Sequence, residues 1–292
     1  MPRLTGRRRG YTLIEILIVL VILGVVGSAI LGLLDRQRGF YRGVNETAGV
    51  RRELRGGASL LPMEARSIST VGGDVQAMDA TSFEFRATIG SGVACALGAQ
   101  SVVLPPVDLA HHTLTAIYSP PAAGDQIFVF DEGTDPGAKD DAWRQYTVSS
   151  VSTTNAQCGG APFTDPVADA GKPRIALAVT AGIASTIQVG AVVRILRPVR
   201  YSLYEAASGR WYLGFEEQQG GAWSTVEPVS GPYVASTGGA GSGLQFAYFD
   251  TLGVSTTDAS RLGRVDVALR GSGDMSGQSD SLLFRIGIRN VR

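Results

Sequence analysis

The sequence is poor in the residues that usually carry chemistry. It has two histidines, two cysteines and two lysines in 292 residues. Formal net charge is zero, which excludes a chain globally steered to nucleic acid or to an anionic surface. Cys95 and Cys158 form no C-x-x-C pair, and no Cys/His cluster has zinc spacing. His111 and His112 are adjacent. As neighbours on a strand they would point to opposite faces, which suits neither a shared metal nor a proton relay. Neither H-E-x-x-H nor G-x-S-x-G occurs. Lys139 and Lys172 lie in no phosphate-loop pattern, and GGAGSG (238–243) has no following Lys-Ser/Thr and no helix start. No catalytic constellation and no cofactor are expected.

What the chain does have is one long apolar run. From Tyr11 to Leu34 the only formally charged side chain is Glu15. These 24 residues make about 36 Å of helix at about 1.5 Å per residue, against a hydrocarbon core of about 30 Å. The run is too long for a secretory h-region of about 7–15 residues, and no A-x-A-type site follows it. Before it stand Arg3, Arg7, Arg8 and Arg9. Positive charge stays cytoplasmic, so the remainder of the chain should lie outside. A carboxylate inside a spanning helix costs about 2.5–3.5 kcal/mol at the helix centre and less near the interface. A plain anchor does not account for Glu15. If the chain is cut after Gly10, Tyr11 becomes the amino terminus and Glu15 the fifth residue. The new α-amino group can then pair with a carboxylate, within one chain or between neighbours. Burying such a pair would set the axial register of packed subunits, since either group alone is strongly unfavourable in an apolar core.

RRRG, then YTLIE, then an apolar stretch resembles the class III signal of type IV pilins and type II secretion pseudopilins. That resemblance implies that Gly10 ends the leader and that a membrane aspartyl peptidase, the prepilin peptidase, cuts before Tyr11. It also implies that the same enzyme methylates the Tyr11 nitrogen, and that the subunit joins other pilins or pseudopilins in a filament. The family's usual first mature residue is Phe, and Tyr11 departs from it while staying aromatic. Gly24, Ser28 and Gly32 stand at i, i+4 and i+8, a small-residue face that permits close helix packing. The same spacing also arises where glycine is simply common, as it is in membrane helices. Many family members carry proline at the place of Gly32.

Beyond Leu34 the pattern changes. Arg36, Arg38, Arg42, Arg51, Arg52 and Arg55 mix with Asp35, Glu46 and Glu53, while Leu54, Ala58, Leu61, Ala65 and Ile68 define one amphipathic face. An amphipathic helix over 35–68 is predicted, weakened by glycines and kinked or broken at Pro62. The arginines lack the interleaved aromatics of a base-stacking surface and read as a solvated face or filament contacts. Without the leader's four arginines, 22 basic residues stand against 26 acidic ones, so no nucleic-acid partner is expected and a DNA-binding pilin is disfavoured.

From about residue 70 the chain reads as strands: 82–87, 101–105, 113–119, 125–132, 144–151, 174–179, 192–206, 210–217, 244–250, 264–271 and 281–289. A hairpin is expected around Ala207-Ser208-Gly209, and 231–243 reads as a loop. Strands in one block after one long helix predict an α+β fold, with the helix packed on an antiparallel β-rich domain at 69–292. VRYSLYEAASGRWYLGFEE, then LQFAYFDTLG, then RVDVALRG is similar to the large minor pilins of the W type and the J-type pseudopilins. In LQFAYFD, alternation puts Leu244, Phe246 and Tyr248 on one side. Residues 88–190 resemble nothing named. An exported domain predicts a Cys95–Cys158 disulfide. The acidic stretch DEGTDPGAKDD offers Asp131, Asp135 and Asp140 as weak calcium ligands, or simply a solvated loop off the EF-hand spacing. The expected whole is a single-pass inner-membrane subunit with its domain outside the cytoplasm, destined for a pilus, or for a pseudopilus as the alternative.

Overall fold

The computed structural model describes residues 11–70, 72–135, 139–155, 158, 164–238, 241–273 and 279–288. One helix, α1 (Leu13–Ala65), runs for 53 residues, about 80 Å. Thr12 caps its start. The helix continues through Pro62 instead of breaking there, and it ends three residues later. Arg66 N–H closes the last turn on the Pro62 carbonyl. Pro62 has no N–H, so the Ala58 carbonyl one turn back loses its helical donor, and the helix goes on for less than one further turn.

The strands are β1 (Val75–Met78), β2 (Ser82–Val93), β3 (Ala96–Gly98), β4 (Ser101–Leu104), β5 (Ala116–Ile117), β6 (Gln126–Asp131), β7 (Ala142–Thr154), β8 (Arg174–Val179), β9 (Val192–Glu205), β10 (Trp211–Gln219), β11 (Ala222–Trp223), β12 (Glu227–Tyr233), β13 (Leu244–Asp250), β14 (Leu262–Ser272) and β15 (Ser279–Gly287). Every pairing among them is antiparallel. The α+β architecture is the one expected.

The β9–β10 hairpin closes at 206–210, with Glu205 opposite Trp211. In β13, Leu244, Phe246 and Tyr248 are buried as alternation requires. The 113–119 stretch yields only the two-residue β5. Strands β1, β3 and β11 carry no strong sequence signal, and β12 runs to Tyr233, so the loop expected at 231–243 begins only after that residue. β12 carries two prolines. It tolerates them because its pairing to β10 is irregular and it meets β14 only at Tyr233.

The strands enclose two cores. The first lies under the helix and gathers Leu54, Leu61, Ala65, Phe83, Phe85, Tyr201, Leu213, Phe246, Val267 and Ile286 with their neighbours. The second gathers Val102, Leu104, Ile127, Val129, Val148, Leu177 and Ile195. β2 and β9 pair from Ser82↔Ser202 to Val93↔Val192 and pass through both cores. The described residues between 94 and 191 therefore belong to an excursion that leaves β2 and returns to β9 beside its starting point. This excursion forms a lobe beyond the C-terminal end of α1.

At the junction, the second edge of β9 changes partner from β6 (up to Leu196) to β10 (from Val199). Pro198 sits in that gap, where a missing N–H removes no ladder bond. Arg197 fills it. Its guanidinium is buried and binds both Asp125 oxygens (2.8 and 2.9 Å), Glu217 Oε2 (3.0 Å) and the Pro120 carbonyl (2.9 Å). These bonds hold the Arg197 pKa above its ordinary value, against the opposing effect of burial.

The helix approaches the sheet closely at two glycines. A Cβ on Gly57 would lie 2.7 Å from Tyr233 Oη, and one on Gly271 would lie 2.5 Å from Val50 Cγ1.

Candidate functional site

The N-terminal half of α1 projects from the domain with no side of it covered. Tyr11 is 85% exposed, and the apolar side chains from Leu13 through Leu34 stay largely open all round. The first buried helix residue is Val50. The segment is long and apolar enough to cross a membrane. A bare apolar cylinder of this length has no stable place in water.

Glu15 sits at the third position of the helix. Its Oε2 accepts the Thr12 N–H (2.8 Å) and the Thr12 hydroxyl (3.0 Å), while Thr12 Oγ1 accepts the Glu15 N–H (3.3 Å). Thr12-Leu-Ile-Glu15 is a capping box, a T-x-x-E signature that the sequence carries beside the carboxylate's pairing role. Gly24 and Gly32 have nothing within 4 Å of where a Cβ would stand. Ser28 Oγ turns inward to the Val25 carbonyl (2.8 Å), leaving a shallow open face. Gly10 lies outside the described residues.

Cys95 and Cys158 are disulfide-bonded, with Cα atoms 5.3 Å apart. The bond ties the first residues of the 94–191 lobe to the segment after β7.

Asp131 and Asp140 spend their oxygens on protein donors. Asp131 is buried. It accepts Thr186 Oγ1 (2.7 Å), Arg144 Nε (2.9 Å) and the Gly133 N–H (3.0 Å). Burial pushes its pKa up, but these donors outweigh that and hold it below the ordinary value. Asp140 accepts the N–H groups of Thr134 (2.7 Å) and Asp135 (3.2 Å). Among the described residues no three His, Cys, Asp or Glu side chains gather as a metal site. His111 and His112 lie in the loop between β4 and β5, not on a strand, and His111 Nε2 stands 3.7 Å from Asp165 Oδ2.

One cleft of about 1000 Å³ separates the end of α1 from the lobe, lined by Met63, Glu64, Tyr118, Trp143, Arg194 and Phe215 among others. Its charged side chains are engaged internally. Glu64 Oε2 accepts the Tyr201 hydroxyl (2.7 Å), and burial, opposed by that bond, raises the Glu64 pKa. Arg194 faces Asp74 and Thr88.

The family model for the prokaryotic N-terminal methylation motif matches residues 5–31. No curated protein and no solved structure matches the chain. The N-terminal stretch 5–31 thus carries a prepilin-type methylation motif at the head of a long apolar helix, which supports a type IV pilin-like protein. Such a motif implies processing by prepilin peptidase and assembly with other pilins, and the helix fits an N-terminal membrane anchor.

Proposed function

We propose that the protein is a minor pilin, a subunit that takes part in priming or tipping a type IV pilus. The observation that carries this reading is the bare helix, apolar on all sides for a membrane's thickness, with one carboxylate five residues beyond a Gly10-Tyr11 junction. Residues 1–10 serve as the cytoplasmic leader, 11–34 as the membrane and then filament-core helix, 35–68 as the amphipathic connection, and 69–292 as the domain outside the cytoplasm. Cleavage before Tyr11 creates an α-amine, methylated on the same nitrogen. In the filament, Glu15 pairs with such an amine, and Gly24, Ser28 and Gly32 let neighbouring helices approach. The strand pattern at 199–217 and 244–271 fits a J-type pseudopilin of a type II secretion system as well, so that reading stands second.

The test is the mass of the N-terminal peptide from membranes of cells with and without the prepilin peptidase. A peptide beginning at Tyr11 with one added methyl group, absent without the peptidase, is expected. A peptide that keeps the leader in both strains would overturn the filament reading. Loss of piliation or of protein secretion on deletion then separates the two machines.

A further inference from the structure

Between the apolar run and the first buried helix residue lies a short stretch of distinct chemistry, DRQRGFYR, residues 35–42. It carries three arginines and one aspartate, a net charge of +2. Arg36, Arg38 and Arg42 are exposed, and so are Phe40 (70%) and Tyr41 (64%). At about 1.5 Å per residue the stretch covers about 12 Å of helix directly beyond the apolar run. With Tyr11–Leu34 in the hydrocarbon, that is the depth of the polar headgroups. The globular domain comes near only at the far end of the stretch, where Arg42 borders a hollow shared with Gly231, Pro232, Ser272 and Gly273, and the first buried helix residue, Val50, lies two turns further on.

Arginine beside exposed aromatics at that depth matches a phosphate-bearing surface. The guanidinium presents a planar fork to phosphate oxygens. Aromatic rings rest where hydrocarbon meets headgroup. Arginines on the outward flank also run against the usual bias, which keeps basic residues on the cytoplasmic side. If the leader is removed, Arg3, Arg7, Arg8 and Arg9 go with it, and the only basic residues close to either end of the membrane segment are Arg36, Arg38 and Arg42.

We propose that Arg36, Arg38 and Arg42, with Phe40 and Tyr41, bind anionic phospholipid headgroups at the outer face of the membrane. This rests on the reading of 11–34 as a membrane segment. Processing removes the electrostatic hold on one leaflet and leaves the hold on the other, so the mature helix waits at a fixed depth until neighbouring subunits draw it out.

The experiment uses the full chain in mixed micelles of phosphatidylglycerol and phosphatidylcholine. Native mass spectrometry counts which lipid is retained. The unaltered chain is expected to prefer phosphatidylglycerol. About fivefold per arginine is the expected scale near an anionic surface. R38Q/R42Q should lower the preference tenfold or more. R52Q/R55Q removes the same charge about 20 Å further out along the helix and should leave it within twofold. A preference untouched by R38Q/R42Q, or lost equally in both variants, overturns the inference. The first of these results, joined to a loss of filament assembly in R38Q/R42Q, would assign the arginines to carboxylates of a neighbouring subunit. A chain that stays in solution without detergent removes the membrane reading itself, and the inference with it.

Discussion

Gly56 and Gly57 are neighbours in one helix, and substituting each by alanine should move stability in opposite directions. Glycine inside a helix is less favourable than alanine by about 0.8–1.0 kcal/mol, so propensity alone makes both changes stabilising. Nothing lies within 4 Å of a Cβ on Gly56, and Gly56→Ala should gain most of that. Gly57 faces the sheet. Its Cβ would meet Tyr233 Oη at 2.7 Å, Ser230 Oγ at 2.9 Å and Leu269 Cδ1 at 3.0 Å. Those two hydroxyls share a hydrogen bond of 2.7 Å, and Tyr233 also donates to the Glu53 carbonyl. Overpacking costs about 1–3 kcal/mol, and losing a buried hydrogen bond costs about 1 kcal/mol more. After the propensity gain, Gly57→Ala should be destabilised by about 1–3 kcal/mol. The assay is urea unfolding of the full chain in micelles, followed by tryptophan fluorescence, since Trp143, Trp211 and Trp223 all lie in the domain. Two midpoints that rise together would refute the close approach of helix and sheet at Gly57.

Arg197→Met should lower stability by about 3–5 kcal/mol, because it leaves Asp125 buried without its partner; adding Asp125→Asn should recover more than half, read from the same unfolding midpoints. Replacing Cys95 and Cys158 by serine opens a loop with a sequence separation of 63, worth about 4 kcal/mol in the chain-entropy account, and hydrogen exchange should rise in β4, β7 and β8 before it rises in β13 and β14. Burial pushes the Asp169 carboxyl up, but the Asp165 N–H, the Lys172 ammonium and the Ala110 N–H outweigh it and hold its pKa at about 2. That value is below the unfolded one of 3.8, so the stabilisation is present above pH 3.8 and is lost as pH falls towards 2. Asp169→Asn should flatten that part of an acid-unfolding curve.

The helix, its anchor and the chemistry of residues 7–15 were open to reading because they are local. An apolar run, an arginine cluster and one acid lie within 30 residues, and no distant contact decides them. The β9–β10 hairpin and the alternation of β13 are local for the same reason. The division into two lobes is not. β2 and β9 cross from one core to the other without a change in composition, and the closing pair Val93↔Val192 joins residues about a hundred apart in sequence. The strand expected over 192–206 runs straight through Arg197 and Pro198, a charge and a proline that the interior of a sheet usually excludes. Only the change of partner along β9 shows why a buried cation and a proline both fit there. His111 and His112 stand in the loop at 105–115, which opens where Pro105 and Pro106 end β4. The capping box at Thr12 and Glu15 shows a different limit: one residue can serve two purposes, and a sequence pattern that accounts for one does not expose the other.

That double use of Glu15 yields the last prediction. In the single chain its carboxylate accepts two donors from Thr12, which offsets part of the cost of placing an acid at the head of a membrane helix. The filament proposal asks the same carboxylate for a charge partner, an α-amine at Tyr11. Alanine cannot separate the two roles, because it removes both. Glutamine can. It keeps the reach to the Thr12 N–H that a capping box needs, and it cannot form an ion pair. If pairing with the amine sets register, Glu15→Gln should insert and be processed like the parent, yet enter filaments as poorly as Glu15→Ala. If the cap is what matters, Glu15→Gln should assemble like the parent while Glu15→Ala fails. Quantifying each variant in sheared filaments against its processed pool in the membrane distinguishes these outcomes. Parent-like assembly of Glu15→Gln would end the charge-pairing account even if the protein proves to be a filament subunit.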